Sequence, residues 1–145
     1  MVGAAATLPF IATSAAEGAS KPVTAESVRT CLVVGSTGRT GRLVVDSLLR
    51  DSGKFGVVAG VRTEASRSKL PVGVSALLAD VTSEEPEFVS ELSREMLARG
   101  VTDLICAVGF SPTFVPADDR TKAAAVDYAG TLRLIAAAEA AKLPG

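Results

Sequence analysis

From Thr30 to Lys142, short continuous apolar runs alternate with stretches of helical periodicity, which limits the chain to a small set of folds. The runs are "TCLVVG", "FGVVAGV" (closing at Arg62), "GVSALLADV" (ending at Asp80) and "TDLICAVGF". A strand that is apolar on both faces must be covered on both, as in a parallel sheet between layers of helices. After the first run, "TGRLVVDSLLRD" places Leu43, Val44 and Leu48 on one side of a helix that Gly53 follows. "EASRSKL" is at most a short helix. Thr82 or Ser83 is placed to cap a helix through "EEPEFVSELSREMLARG", with acids in its first turn and Gly100 past its end. Beyond the Pro-containing loop "SPTFVPADD", Arg120 to Lys142 reads as one long Ala-rich helix stopped by Pro144 and Gly145. The order β-α-β-(α)-β-α-β-α predicts an α/β fold. It is a Rossmann-type, doubly wound parallel sheet with flanking helices and strand order 3-2-1-4, lacking the later strands of that architecture.

Length and composition narrow the function. With 145 residues the chain is expected to form a single domain over 29–145, after a leader at 1–28. That leader is rich in Ala, Ser and Thr and reads as a disordered segment or the remnant of an organellar transit peptide. The lack of any Arg before Arg29 argues against the second. There is no histidine, which removes Ser-His-Asp and Cys-His nucleophile pairs and the usual zinc sites. Cys31 and Cys106 lie in apolar runs and are expected to be buried, reduced thiols. No metal site and no catalytic residue is assigned. A formal net charge of −1 gives no reason to expect a nucleic-acid partner. No apolar run approaches the ~20 residues that span a bilayer. The charge is nonetheless uneven. Residues 1–70 carry nine Lys/Arg against five Asp/Glu, and the remainder six against eleven, which favours an anionic ligand in the first half.

That half contains Gly35-Ser36-Thr37-Gly38-Arg39-Thr40-Gly41, a G-x-x-G-x-x-G run between a strand and a helix. Gly35 lets the chain turn off the strand, Gly38 removes a side chain where a pyrophosphate would touch backbone, and Gly41 lets the helix pack close to the sheet. Free N–H groups and the positive end of the helix dipole then face the phosphates, with Thr37 and Thr40 as extra hydroxyl donors. A purely structural tight turn is the alternative reading. A Walker A loop fits worse, because Ser36, Arg42 and Leu43 stand where glycine, lysine and a hydroxyl residue are needed.

The end of the second strand selects the nucleotide. A strict NAD site places Asp or Glu there for the ribose 2′-hydroxyl; this chain has Arg62, with Glu64 beyond it. An arginine suits a 2′-phosphate, so NADP is expected ahead of NAD, with Arg39 facing the same phosphate from the loop tip. A solvated surface arginine is the bland reading of Arg62.

Taken together, "VVGSTGRTGR", "VVAGVR", "LLADVT", "LICAVGF" with Pro112 and Phe114 after it, and "AVDYAGTLRLIAAAEAA" resemble the atypical short-chain dehydrogenase/reductases. Within that group they are similar to the NmrA-like NAD(P)-binding proteins of plant and algal plastids. The resemblance spans residues 30–142. It implies that Asp80, beside Val81, meets the adenine amino group, and that Ala107, Val108 and Gly109 line the cofactor. By their residue types alone, Asp80 could equally cap a helix and Gly109 could simply make a turn. The resemblance also implies a hydride-transfer ancestry and a chloroplast location, with the cytoplasm as alternative. The chain departs from the group in its Tyr-x-x-x-Lys pair: its only tyrosine, Tyr128, is followed four residues later by Leu132, and reads as a packing residue.

The chain is expected to be truncated after the fourth βα unit, so that strand 4 forms an exposed edge. Through that edge a homodimer or a protein partner is expected, or poor solubility. Three functions compete: an NADP-binding domain of a reductase-like protein, a non-catalytic NADP(H) sensor or scaffold of the NmrA-like type, and a structural subunit that binds no nucleotide.

Overall fold

Leu32, Val33 and Val34 have no exposed surface, which places the first apolar run at the centre of a sheet with cover on both sides. The computed structural model describes residues 27–110 and 116–144. Of the leader, it describes Ser27 and Val28 alone; Pro112 and Phe114 lie outside the described residues. The sheet has four strands in the order β3-β2-β1-β4: β1 (Arg29–Val34), β2 (Phe55–Val61), β3 (Ser75–Leu78) and β4 (Asp103–Cys106). All three pairings are parallel, with Leu32 in register with Val58 on one side and Leu104 on the other. The expected α/β class and strand order are those found.

The helices are α1 (Arg39–Arg50), a 3-10 helix at Glu64–Lys69, α2 (Phe88–Ala98), α3 (Pro116–Ala123), a π-helical segment at Ala124–Gly130, and α4 (Thr131–Ala140). Leu32 and Val34 pack into one cluster with Val58, Leu92 and Met96 of α2, and Leu134 and Ala137 of α4. Side chains alternate across a strand, so Cys31 and Val33 face the other layer, where α1 contributes the buried Val45.

Four expectations are corrected. The helix expected to begin after Thr82 or Ser83 begins at Phe88, with Glu87 before it and no side-chain cap. Thr82 is engaged by Asp80 instead, Ser83 Oγ accepts from the Glu85 amide at 3.3 Å, and Pro86 disfavours helical geometry at Glu85. Strand β4 stops at Cys106, short of the run "TDLICAVGF". Its neighbour β1 ends at Val34, whose carbonyl takes the Ala107 amide at 2.9 Å, and Gly35 then turns away at φ 82°. The single long helix is three segments with a π-helical middle, and it closes before Pro144. Lys142 adopts φ 52° and the Leu143 amide returns to the Ala138 carbonyl at 3.2 Å, a left-handed helix end. Finally, Cys31 is buried but Cys106 is exposed, because β4 is the sheet's edge and no described element covers its outer side.

Candidate functional site

The first turn of α1 begins without a side-chain cap. Gly38 is extended (φ −75°, ψ 170°), no side chain among the described residues bonds the opening amides, and the first intrahelical bond runs from the Arg42 amide to the Gly38 carbonyl at 3.0 Å. Uncapped N–H groups at a helix start, with the positive dipole end, form an anion site where a groove reaches them.

A groove reaches this turn at Gly38, the residue before the helix. It has a volume of about 410 Å³ and lies at the carboxyl ends of the strands, where ligands bind in open α/β sheets. Gly35, Thr37 and Gly38 form its floor beneath α1. Arg62 enters from the end of β2, and Asp80 and Val81 from the segment after β3. Ala107, Val108 and Gly109 form the wall beyond β4. Nine of the twelve residues singled out from the sequence therefore meet in one place. Arg39 and Thr40 are exposed in the first turn of α1 and Gly41 is buried behind it; none of the three lines the groove.

The loop is held by contacts that leave no room for side chains. A Cβ on Gly41 would stand 2.1 Å from the Gly35 carbonyl oxygen. On Gly35, itself in the left-handed region, it would stand 2.9 Å from the Ala107 backbone. Ser36 turns inward: its buried hydroxyl donates to the Gly60 carbonyl at 3.0 Å, tying the loop to β2.

On the Arg62 side, charge is sorted. Glu64 accepts from both Arg67 Nε and Nη2, and Arg67 also donates to the Ala76 carbonyl at 2.9 Å. The acid nearest the end of β2 is thus neutralised locally, while the exposed Arg62 guanidinium has no ion pair or hydrogen bond among the described residues. At the next wall, Asp80 Oδ1 accepts from the Thr82 amide at 3.0 Å and hydroxyl at 2.7 Å. Asp80 therefore closes a turn and does not cap a helix.

Four lining residues escaped the sequence reading: Ala79, Thr82, Phe110 and Val126. Thr82 carried a readable signal, since Asp-x-Thr after a strand forms an Asx-type turn. Val126 carried none, because its place depends on the π-helical pitch. Tyr128, expected to be a packing residue, is instead 69% exposed, and it lies outside the groove lining. Among the described residues no group of three or more Cys, Asp or Glu side chains gathers to hold a metal, and no helix is long and apolar enough to cross a membrane.

Parallel sheet, glycine loop and uncapped helix start at the strand-order reversal together define a Rossmann-type dinucleotide-binding domain. The chain belongs to the NAD(P)H-binding family, whose model matches residues 35–144. No curated protein matches. Among solved structures it is similar to the UDP-glucose 4-epimerase of Thermus thermophilus in complex with NAD. The identity is 21% and the TM-score 0.61, over 79% of this chain and 35% of that one. It is also similar to the Bordetella bronchiseptica enzyme WbmG in complex with NAD, with 20% identity and TM-score 0.63 over 83% and 37% of the two chains. A short-chain dehydrogenase/reductase family oxidoreductase of Burkholderia thailandensis gives 18% and 0.62 over 79% and 47%. At these identities the likeness is one of fold, and the chain spans less than half the length of each of the three.

Proposed function

We propose that this chain binds NADP(H) in preference to NAD(H), as the dinucleotide-binding domain of an atypical short-chain dehydrogenase/reductase-like protein of the NmrA-like type. The observation that carries the preference is the separation of Arg62 from Glu64. The glutamate, which as a free acid would suit ribose hydroxyls, is paired with Arg67, and the Arg62 guanidinium, without a partner among the described residues, is the charged group that β2 brings to the groove. A 2′-phosphate is the anion that such a position favours. The amides at the start of α1 and the Cβ-free surface of Gly35 and Gly38 fit a diphosphate. The resemblance supports Asp80, with Val81, at the adenine and Ala107, Val108 and Gly109 along the rest of the cofactor. Arg39 and Thr40, exposed in the first turn of α1, are proposed to close over the phosphates.

When bound, the nicotinamide supplies a hydride donor or acceptor, and the proposed activity of the whole protein is oxidoreduction. A second reading has one observation in its favour. Tyr128 is exposed outside the groove with Leu132 four residues on, so the described residues hold no tyrosine–lysine pair beside the groove to pass a proton. That favours an NADP(H) sensor or scaffold only where the whole protein holds no such pair. The resemblance also supports a plastid location, which import of the tagged protein into isolated plastids tests. Self-association through the β4 edge is proposed on the exposure of that edge.

The test is titration of the purified chain with NADPH and NADH, before and after Arg62→Ala. NADPH is expected to bind more tightly, and the substitution to remove most of that advantage while leaving NADH nearly unchanged. Equal losses for both cofactors would refute the assignment. Binding with no turnover of any carbonyl substrate by the full protein favours the sensor.

A further inference from the structure

One helical stretch reaches both walls of the groove. In the π-helical segment, the Asp127 carboxylate accepts the Phe110 amide at 2.8 Å. Six residues later, Arg133 Nη1 donates to the Val81 carbonyl at 3.0 Å. Between them Gly130 is buried against the second contact, so close that a Cβ there would stand 2.9 Å from Val81 Cγ2. Phe110 ends the segment after β4, and Val81 follows β3. Those strands are the two edges of the sheet, so the stretch spans the groove from wall to wall.

The chain distorts its helix to do this. A π-helical turn is rare and is found frequently at functional sites. Here it places Val126 in the groove lining and Asp127 against Phe110, before α-helical pitch resumes at Thr131. The Thr131 hydroxyl returns to the Asp127 carbonyl at 2.7 Å and secures the junction. Asp127 is itself exposed, and its bond to Phe110 is charge-assisted.

We infer that Asp127 and Arg133 are positioning residues that set the two walls of the groove separately. Arg133 fixes Val81, on the wall shared with Asp80, and so acts on the adenosine half of a dinucleotide. Asp127 fixes the segment from Ala107 to Phe110 and acts on the nicotinamide-ribose half, which the second mononucleotide unit holds in such folds. This inference rests on the dinucleotide reading above. A residue that merely held the fold together would affect every ligand alike, whereas Asp127 is separable by ligand fragment and Arg133 marks the adenosine half common to both ligands.

The experiment titrates wild type, Asp127→Ala, Asp127→Asn and Arg133→Met with NADPH and with adenosine 2′,5′-bisphosphate, which lacks the nicotinamide half. Circular dichroism and Tm serve as controls for folding. Asp127→Ala is expected to weaken NADPH about ten-fold, the low end of the effect of one lost hydrogen bond to a charged group. Binding of adenosine 2′,5′-bisphosphate is expected to stay unchanged. Asp127→Asn, whose amide oxygen still accepts the Phe110 N–H, is expected to restore most of the loss. Arg133→Met is expected to weaken both ligands by the same factor. Parallel losses in Asp127→Ala, no loss, or no recovery in Asp127→Asn overturn the inference while leaving the dinucleotide reading intact. A wild type that binds neither ligand removes the reading itself.

Discussion

Thr82 gives both its amide and its hydroxyl to one oxygen of Asp80, at 3.0 and 2.7 Å, and leaves the other oxygen without a partner among the described residues. Two donors on Oδ1 fix the carboxylate plane beside the groove, and Oδ2 remains able to accept from an amino group. Asp80→Ala is therefore expected to weaken NADPH binding about ten-fold, the scale of one lost hydrogen bond to a charged acceptor. Thr82→Val removes one donor and keeps the amide, so its loss is expected to be smaller. Calorimetric titration measures both; an Asp80→Ala protein with unchanged affinity would remove Asp80 from the site.

The phosphate loop is tight enough for one methyl group to disturb it. In Gly41→Ala the new Cβ would lie 2.1 Å from the Gly35 carbonyl oxygen and 2.8 Å from its carbon. Both obstacles are backbone, so helix or loop must move as a unit. A cost of about 1–3 kcal/mol is expected, read as a lower Tm together with weaker NADPH binding. Gly53→Ala, with nothing within 4 Å of its Cβ, is the control and is expected to change neither.

Why some of this was legible in the sequence, and some was not, follows from where each signal resides. The strand order follows from local patterns, because continuous apolar runs and right-handed crossovers leave few alternatives. The groove was legible in part, because Gly35, Gly38 and Arg62 are constrained by short-range geometry at strand ends. Starting points of helices were less so. Thr82 reads as a cap until Asp80, two residues before it, claims its amide and hydroxyl. The π-helical segment left no trace, since "AAAVDYAG" is as compatible with α-helical as with π-helical pitch, and its pitch goes with contacts to Phe110 and Val81. Cys106 illustrates the same limit: an apolar run announces a strand, but burial depends on what lies beside it.

Acid sensitivity is expected from the far end of the sheet. Asp103, at the start of β4, is partly buried, which opposes ionisation. The Thr102 hydroxyl and the Arg29 guanidinium outweigh that effect and hold its carboxyl below the usual carboxylate range. A carboxylate whose pKa falls on folding stabilises the native state above its unfolded value, about 3.9. That contribution disappears as pH falls through the lower, folded value. Asp103→Asn is therefore expected to lower Tm at neutral pH and to converge with wild type in strong acid. A Tm difference that persists there would assign the effect to packing.

The two thiols report on the β4 edge. Burial pushes the Cys31 thiol up in pKa, so at neutral pH it is both shielded and protonated. Cys106 is exposed at the last position of β4. In the native chain a thiol reagent is expected to modify Cys106 rapidly and Cys31 only after unfolding. The same strand carries unpaired backbone groups on its outer side among the described residues, which is a template for pairing. Ile135 of α4, 48% exposed, borders a cleft against Leu104, and the same helical stretch exposes Tyr128 and Leu132 at 69% and 48%. Two copies meeting there would bury both the open edge and these side chains. Self-association that rises with concentration is therefore expected in sedimentation, with modification of Cys106 slowing over the same concentration range. A species that stays monomeric throughout, with a constant rate at Cys106, means that neither the edge nor the stripe drives association.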